Sequence, residues 1–160
     1  MSNQRSLSFG EAAVSVPVYG VRLVREAVVS YEPITSPDDI AKILIDRLSD
    51  HSREVFEIVM LDAKLRPIGI HTVSIGIING AMVECREVFQ AAILANAASI
   101  VVGHNHPSGD PTPSMTDLAT TRTLIEAGKI IGINVLDHIV IGANRHYSMA
   151  KNRVVDFPSE

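Results

Sequence analysis

The chain's 160 residues suffice for one domain with a real core and are too few for two, and 46% hydrophobic with 20% charged residues is ordinary globular composition. A net charge of −4, without any lysine or arginine run able to neutralise a stripe of phosphates, leaves a nucleic-acid partner unsupported. The single cysteine, Cys85, excludes an intramolecular disulfide, "MSNQRSLSFG" lacks the apolar core of a signal peptide, and no apolar run nears the roughly 18 residues of a membrane span, so a reducing cytoplasm is the expected setting.

Residues 1–32 read as an N-terminal extension, 33–150 as the domain and 151–160 as a loosely held tail. In the extension, "AVSVPVYGVRLVREAVVS" is β-branched with partial alternation and predicts one or two extended segments, interrupted by Pro17 and Gly20. "TSPDDIAKILIDRLSD" predicts a helix: Ser36 is the N-cap, Pro37 opens the first turn, and Asp38 and Asp39 suit the positive end of its dipole. Ile40, Ile43, Leu44 and Leu48 form its apolar face.

"EVFEIVMLD" reads as a strand, "KLRPIG" as a turn and "IHTVSIG" as the next strand, with "IINGAMV" continuing the sheet. "REVFQAAILANA" is a helix whose apolar surface, Val88, Ala91, Ala92 and Ala95 with Phe89 and Ile93 beside them, looks broad enough to lie between layers. "SIVVG" runs into His104 with the near-continuous apolarity of a central strand. "MTDLATTRTLIEAGKIIG" predicts a helix, and "INVLDHIVIG" and "HYSM" two closing strands. The order α-β-β-α-β-α-β-β points to an α/β (α+β) fold, one mixed sheet flanked by helices.

The stretch "HNHPSGDPTPSMTD", residues 104 to 117, carries the chemistry. Strand alternation projects His104 and His106 from one face and Asn105 from the other, so two imidazoles can meet one ion. Three prolines and Gly109 restrict the following loop to a reversal that starts a helix, where the carboxylate of Asp117 can supply a third ligand. Three protein ligands with a fourth position left for water is the pattern of catalytic zinc. The plainer reading of Ser114 and Asp117 is a helix cap, the serine accepting from the amide of residue 117. Both uses of the serine are compatible.

The spacing H-x-H-x7-S-x-x-D resembles the JAMM, or MPN+, metalloprotease motif without a departure, in the wording of its RadC-like branch. The likeness runs from about "ITSPDDIAKIL" through "CREVFQAAILANAASIVVGHNHPSGDPTPS" to "VLDHIVIG", roughly two thirds of the chain. The resemblance implies a JAB/MPN (cytidine-deaminase-like) fold and one Zn²⁺ held by His104, His106 and Asp117. It also implies a glutamate base just before an apolar strand. Glu54 occupies that place; the competitor Glu57 lies three residues on and on the opposite face of a regular strand. By the same resemblance Glu54 would shuttle the proton and Ser114 would donate to the developing oxyanion. Asp137 and His138, inside an apolar strand, are candidates for supporting the ligands from behind, with simple structural pairing as the alternative.

The implied activity is zinc-dependent hydrolysis of a peptide or isopeptide bond in a peptide or protein substrate. Zinc deaminases need H-x-E and P-C-x-x-C, which one cysteine cannot supply. The alternative is a RadC-like interaction or DNA-associated module without peptidase activity. Residues 1–32 show no likeness to the helix-hairpin-helix region of longer family members, which weighs against DNA.

Overall fold

Residues 17, 19–31, 36–76 and 83–156 are described in a computed structural model of the chain. The first helix, α1 (Pro37–Leu48), starts as its cap residues predict: the Asp39 carboxylate accepts from the backbone N–H and the hydroxyl of Ser36, both at 2.9 Å. Strands β1 (Val55–Leu61) and β2 (Pro67–Ile75) form a hairpin. Its turn is closed by Asp62, whose carboxylate takes the N–H groups of Lys64 and Arg66. Helix α2 (Cys85–Leu94), strand β3 (Ser99–Asn105), helix α3 (Met115–Ile131) and strands β4 (Asn134–Ile141), β5 (Arg145–Ser148) and β6 (Arg153–Asp156) complete the order.

The six strands make one mixed sheet in the order β2-β1-β3-β4-β5-β6, an α+β architecture with helices on both faces, in keeping with the fold that the resemblance implies. Among the described strands only β3 and β4 pair in parallel, because α3 carries the chain back across the sheet between them. α1 covers one face over Val55, Val59, Val101 and Ile139. α2 and α3 cover the other, over Phe56, Ile58, Ile100 and Val102. β1 and β3 are buried along their whole length, as their unbroken apolar runs require. Gly103 lets α1 approach, since a Cβ there would stand 2.7 Å from the Leu44 side chain.

Three expectations need correction. The described part of the extension forms no strand: residues 19–30 are exposed, Tyr19, Val21, Val24 and Val28 among them, and only Tyr31 packs against the α1-side core. β-branched composition alone does not make a strand without a neighbour to supply the ladder. α2 is not enclosed: Val88, Phe89, Ala91 and Ala92 are buried, while Ile93 is 52% exposed on a wet face shared with Gln90. The tail is not loose throughout, because Arg153–Asp156 pairs with β5 as a sixth strand. The proposed sheet continuation "IINGAMV" lies outside the described residues except for Val83. Among the described residues, no helix is long and apolar enough to cross a membrane.

Candidate metal centre

β3 delivers its last residues to the edge of the α2/α3 face. His104 stacks on Phe56 at 6.0 Å and is buried; His106, one step past the strand, is half-buried. The loop that follows is pinned to the β4–β5 turn. His106 N–H donates to the Ile141 carbonyl at 2.8 Å, Gly109 turns with φ +82°, and its carbonyl accepts from Ala143 N–H at 3.0 Å. Gly142 makes that approach possible, since a Cβ there would stand 2.4 Å from the Gly109 oxygen. The loop then hands the chain to α3, whose N-cap is Ser114. Ser114 Oγ accepts from Asp117 N–H at 3.1 Å and donates to Asp117 Oδ2 at 2.7 Å, and Ser114 N–H reaches the same oxygen at 2.6 Å.

The result brings His104, His106 and Asp117 into one cluster. His104 Nε2 stands 3.0 Å from His106 Nε2 and 3.4 Å from Asp117 Oδ1, and His106 Nε2 stands 3.4 Å from Asp117 Oδ2. A tetrahedral ion with bonds of roughly 2.0–2.1 Å would space its ligand atoms by about 3.3 Å, so the residues present fit zinc. Proton accounting sharpens the fit. His106 Nδ1 lies 2.8 Å from the Asp110 carbonyl, which only accepts, so Nδ1 carries the hydrogen and a neutral ring turns the Nε2 lone pair inward. Neutral His106 thus presents a lone pair to the Asp117 carboxylate, so the pair is held either by a proton on His106 Nε2 or by a cation in its place.

The electrostatics agree. Burial pushes the His104 imidazole down to about 4, against the pull of Asp117, so the ring is neutral. Burial works against charge on Asp117 too, but bonds from His106 and Ser114 outweigh it and hold the carboxyl well below the usual range. The bond to Asp117 raises His106 above its ordinary value despite partial burial.

Glu54 sits immediately before β1, half-buried, where burial raises its carboxyl, and the charges of His106 and Asp117 act on it in opposite directions. Its position is set by Asn105. The Asn105 side chain, on the α1 face, accepts from Val55 N–H at 2.8 Å and donates to the carbonyls of His51 and Arg53 at 3.0 Å. Glu57 is engaged elsewhere. Its carboxylate takes both Arg47 nitrogens at 2.6 Å and the Thr72 hydroxyl at 2.7 Å on the face away from the cluster.

Of the two residues considered for support, the structure brings only His138 to the cluster. His138 is buried, with Nε2 at 2.8 Å from His104 Nδ1 and Nδ1 at 2.5 Å from the Thr121 hydroxyl. The Asp137 carboxylate points to the other side of β4, where it accepts from Ser148 Oγ and from the N–H groups of His138 and Ala150. Sequence reasoning passed over Thr121 and Asn105. The spacing of Asp117 and Thr121, four apart on one helix, was the available signal for the first.

A sequence profile of the RadC-like JAB domain matches residues 34–154, most of the chain. The chain belongs to the RadC-like JAB domain family. It is 48% identical over 124 residues to a UPF0758 protein of Caldanaerobacter subterraneus, an alignment covering 78% of this chain and 53% of that protein. It is 42% identical over 136 residues to a UPF0758 protein of Alkaliphilus metalliredigens, covering 85% and 59%. A UPF0758 protein of Chloroflexus aurantiacus is 45% identical over 130 residues, covering 81% and 57%. The chain therefore spans between half and three fifths of the length of these RadC-like relatives.

Proposed function

We propose that this RadC-like JAB domain is a zinc-dependent peptidase of JAMM type, holding one Zn²⁺ through His104, His106 and Asp117 and hydrolysing a peptide or isopeptide bond. The reading is carried by the convergence of two imidazole nitrogens and a carboxylate at 3.0–3.4 Å, the spacing that a tetrahedral zinc imposes on its ligands. Bound there, the ion supplies Lewis-acid chemistry, bringing the pKa of water from 15.7 towards about 7 and polarising the scissile carbonyl.

The chain's own groups do the rest. Glu54, its carboxyl raised by burial, takes the proton of the attacking water and passes it to the leaving amine. Asn105 ties the backbone on either side of Glu54 to the end of β3 through the three bonds to residues 51, 53 and 55. Ser114 is exposed at the mouth of the site, and its hydroxyl proton lies on Asp117 Oδ2. To serve a developing oxyanion it must rotate away from that oxygen. The substrate is a peptide or protein, reached from the open side on which Ser108, Thr112 and Ser114 are exposed.

The test is zinc stoichiometry of the full chain followed by turnover of a fluorogenic peptide library and of a lysine-linked isopeptide. Glu54→Gln should keep its zinc and lose about 10²- to 10⁴-fold in rate. Undiminished turnover in that variant would overturn the assignment.

A further inference from the structure

His104 offers its metal-facing nitrogen only in one ring tautomer, and that tautomer depends on groups behind it. Histidine ligands ordinarily give their second N–H to a carboxylate, a backbone carbonyl or water. Here the group behind His104 is a second imidazole, His138, which can donate or accept. The problem is therefore passed on, and something must fix His138.

That something is Thr121. Its hydroxyl has one proton and lies 2.7 Å from the Asp117 carbonyl and 3.0 Å from Met149 Sδ, both acceptors. With the proton spent on Asp117, the Thr121 oxygen can only accept from His138 Nδ1–H. His138 Nε2 must then accept from His104 Nδ1–H, and the His104 Nε2 lone pair faces His106 and Asp117. In the opposite arrangement the Thr121 proton turns to His138, His138 donates to His104, and the His104 proton lands on Nε2 in the middle of the ligand cluster. The Asp117 carbonyl selects the first arrangement. Asp117 thus contributes its carboxylate to the cluster and its carbonyl to the circuit that orients the opposite ligand. Phe56, stacked on His104 and edge-on to His138, closes the pair from solvent.

We propose that Thr121 and His138 are positioning residues whose hydrogen-bond circuit, ending on the Asp117 carbonyl, locks His104 in the Nδ1–H tautomer and so sets the site's affinity for Zn²⁺. The proposal rests on the reading of the cluster as a metal site. It is tested on the full chain by Zn²⁺ and Co²⁺ affinity from chelator competition, with circular dichroism to verify folding. Histidine side-chain ¹⁵N NMR of the unaltered protein gives the tautomers directly. Thr121→Val, which keeps the shape and removes the hydroxyl, should weaken Zn²⁺ binding by about 10- to 100-fold. Thr121→Ser should restore it, and His138→Gln should bind more tightly than His138→Leu. Folded Thr121→Val with unchanged affinity overturns the proposal alone; an unaltered chain that takes up no Zn²⁺ overturns the metal reading with it. Should Thr121→Val fail to fold, an Nε2–H tautomer at His138 in the unaltered protein overturns the circuit, and an Nδ1–H tautomer supports it.

Discussion

Asn105 grips the backbone on both sides of Glu54: its side-chain oxygen takes Val55 N–H, and its amide reaches the His51 and Arg53 carbonyls. The residue between the two histidines thereby ties the proposed base to the strand that carries the proposed ligands. Asn105→Ala leaves the buried Val55 N–H without a partner and returns the part-buried His51 and Arg53 carbonyls to water, and should destabilise the domain by roughly 2–4 kcal/mol in chemical denaturation. Zinc stoichiometry should stay at one per chain while peptide turnover falls. Equal losses of zinc and turnover would mean that Asn105 serves the ligands and not Glu54.

Gly142→Ala probes the loop clamp. The new Cβ would stand 2.4 Å from the Gly109 backbone oxygen and 2.8 Å from Cδ of the rigid Pro111 ring, so the 107–113 loop must lift. Asp117 moves with it, and chelator competition should report weaker Zn²⁺ binding than in the unaltered chain. Gly132→Ala is the control. It is strained by its φ of +84° but has open space around it, and should cost stability with no change in affinity.

On the proposed reading, zinc and protons compete for His106. Its metal-free pKa is raised, so its pairing with Asp117 stabilises the empty fold below about 6.5 and is lost as pH rises through the folded value. Zinc binding has the opposite sign: affinity is level above the folded value and falls by about tenfold per pH unit below it, as one proton must leave. His104, pushed down to about 4, adds a second proton only near that pH. Differential scanning with zinc at 100 times its dissociation constant should raise the melting temperature by roughly 5–10 °C at pH 7.5, from about 2.7 kcal/mol of linkage. Asp117→Asn should abolish the shift.

The Arg47–Glu57 pair should govern acid stability independently of metal. Burial opposes charge on Glu57, but Arg47 and Thr72 outweigh it and lower the carboxyl below 4.5. Its stabilisation is therefore complete above the unfolded value and lost as pH falls through the folded one. Glu57→Ala should cost about 3 kcal/mol at pH 7, since it takes the carboxylate from half-buried Arg47, and less at pH 3. Urea titrations at both pH values with excess chelator would check this. An equal cost at both would show that packing, not charge, is what Glu57 supplies.

Much of this was legible from residue order. The cap at Ser36, the apolar runs of β1 and β3, and the H-x-H face all follow from local rules that the tertiary structure respects. What escaped depends on neighbours far away in the chain. Residues 19–30 have strand composition but no partner strand among the described residues, and Arg153–Asp156 has little pattern yet finds β5. Asn105 and Thr121 are ordinary polar residues until β1, α3 and β4 are set around them. Asp137 and His138 are adjacent, so alternation sent one to the cluster's side of the sheet and the other away from it, a separation readable in principle once the strand was drawn.

The single parallel pairing in the sheet has a further consequence. β3, α3 and β4 form one continuous unit that supplies His104, His106, Asp117, Thr121 and His138, while Glu54 arrives from a separate hairpin. On the proposed reading, grip on the cation and the power to use it are therefore heritable apart. A descendant of this scaffold can shed Glu54 and survive as an inert holder of its ion, whereas one that disturbs the crossover forfeits both at a stroke.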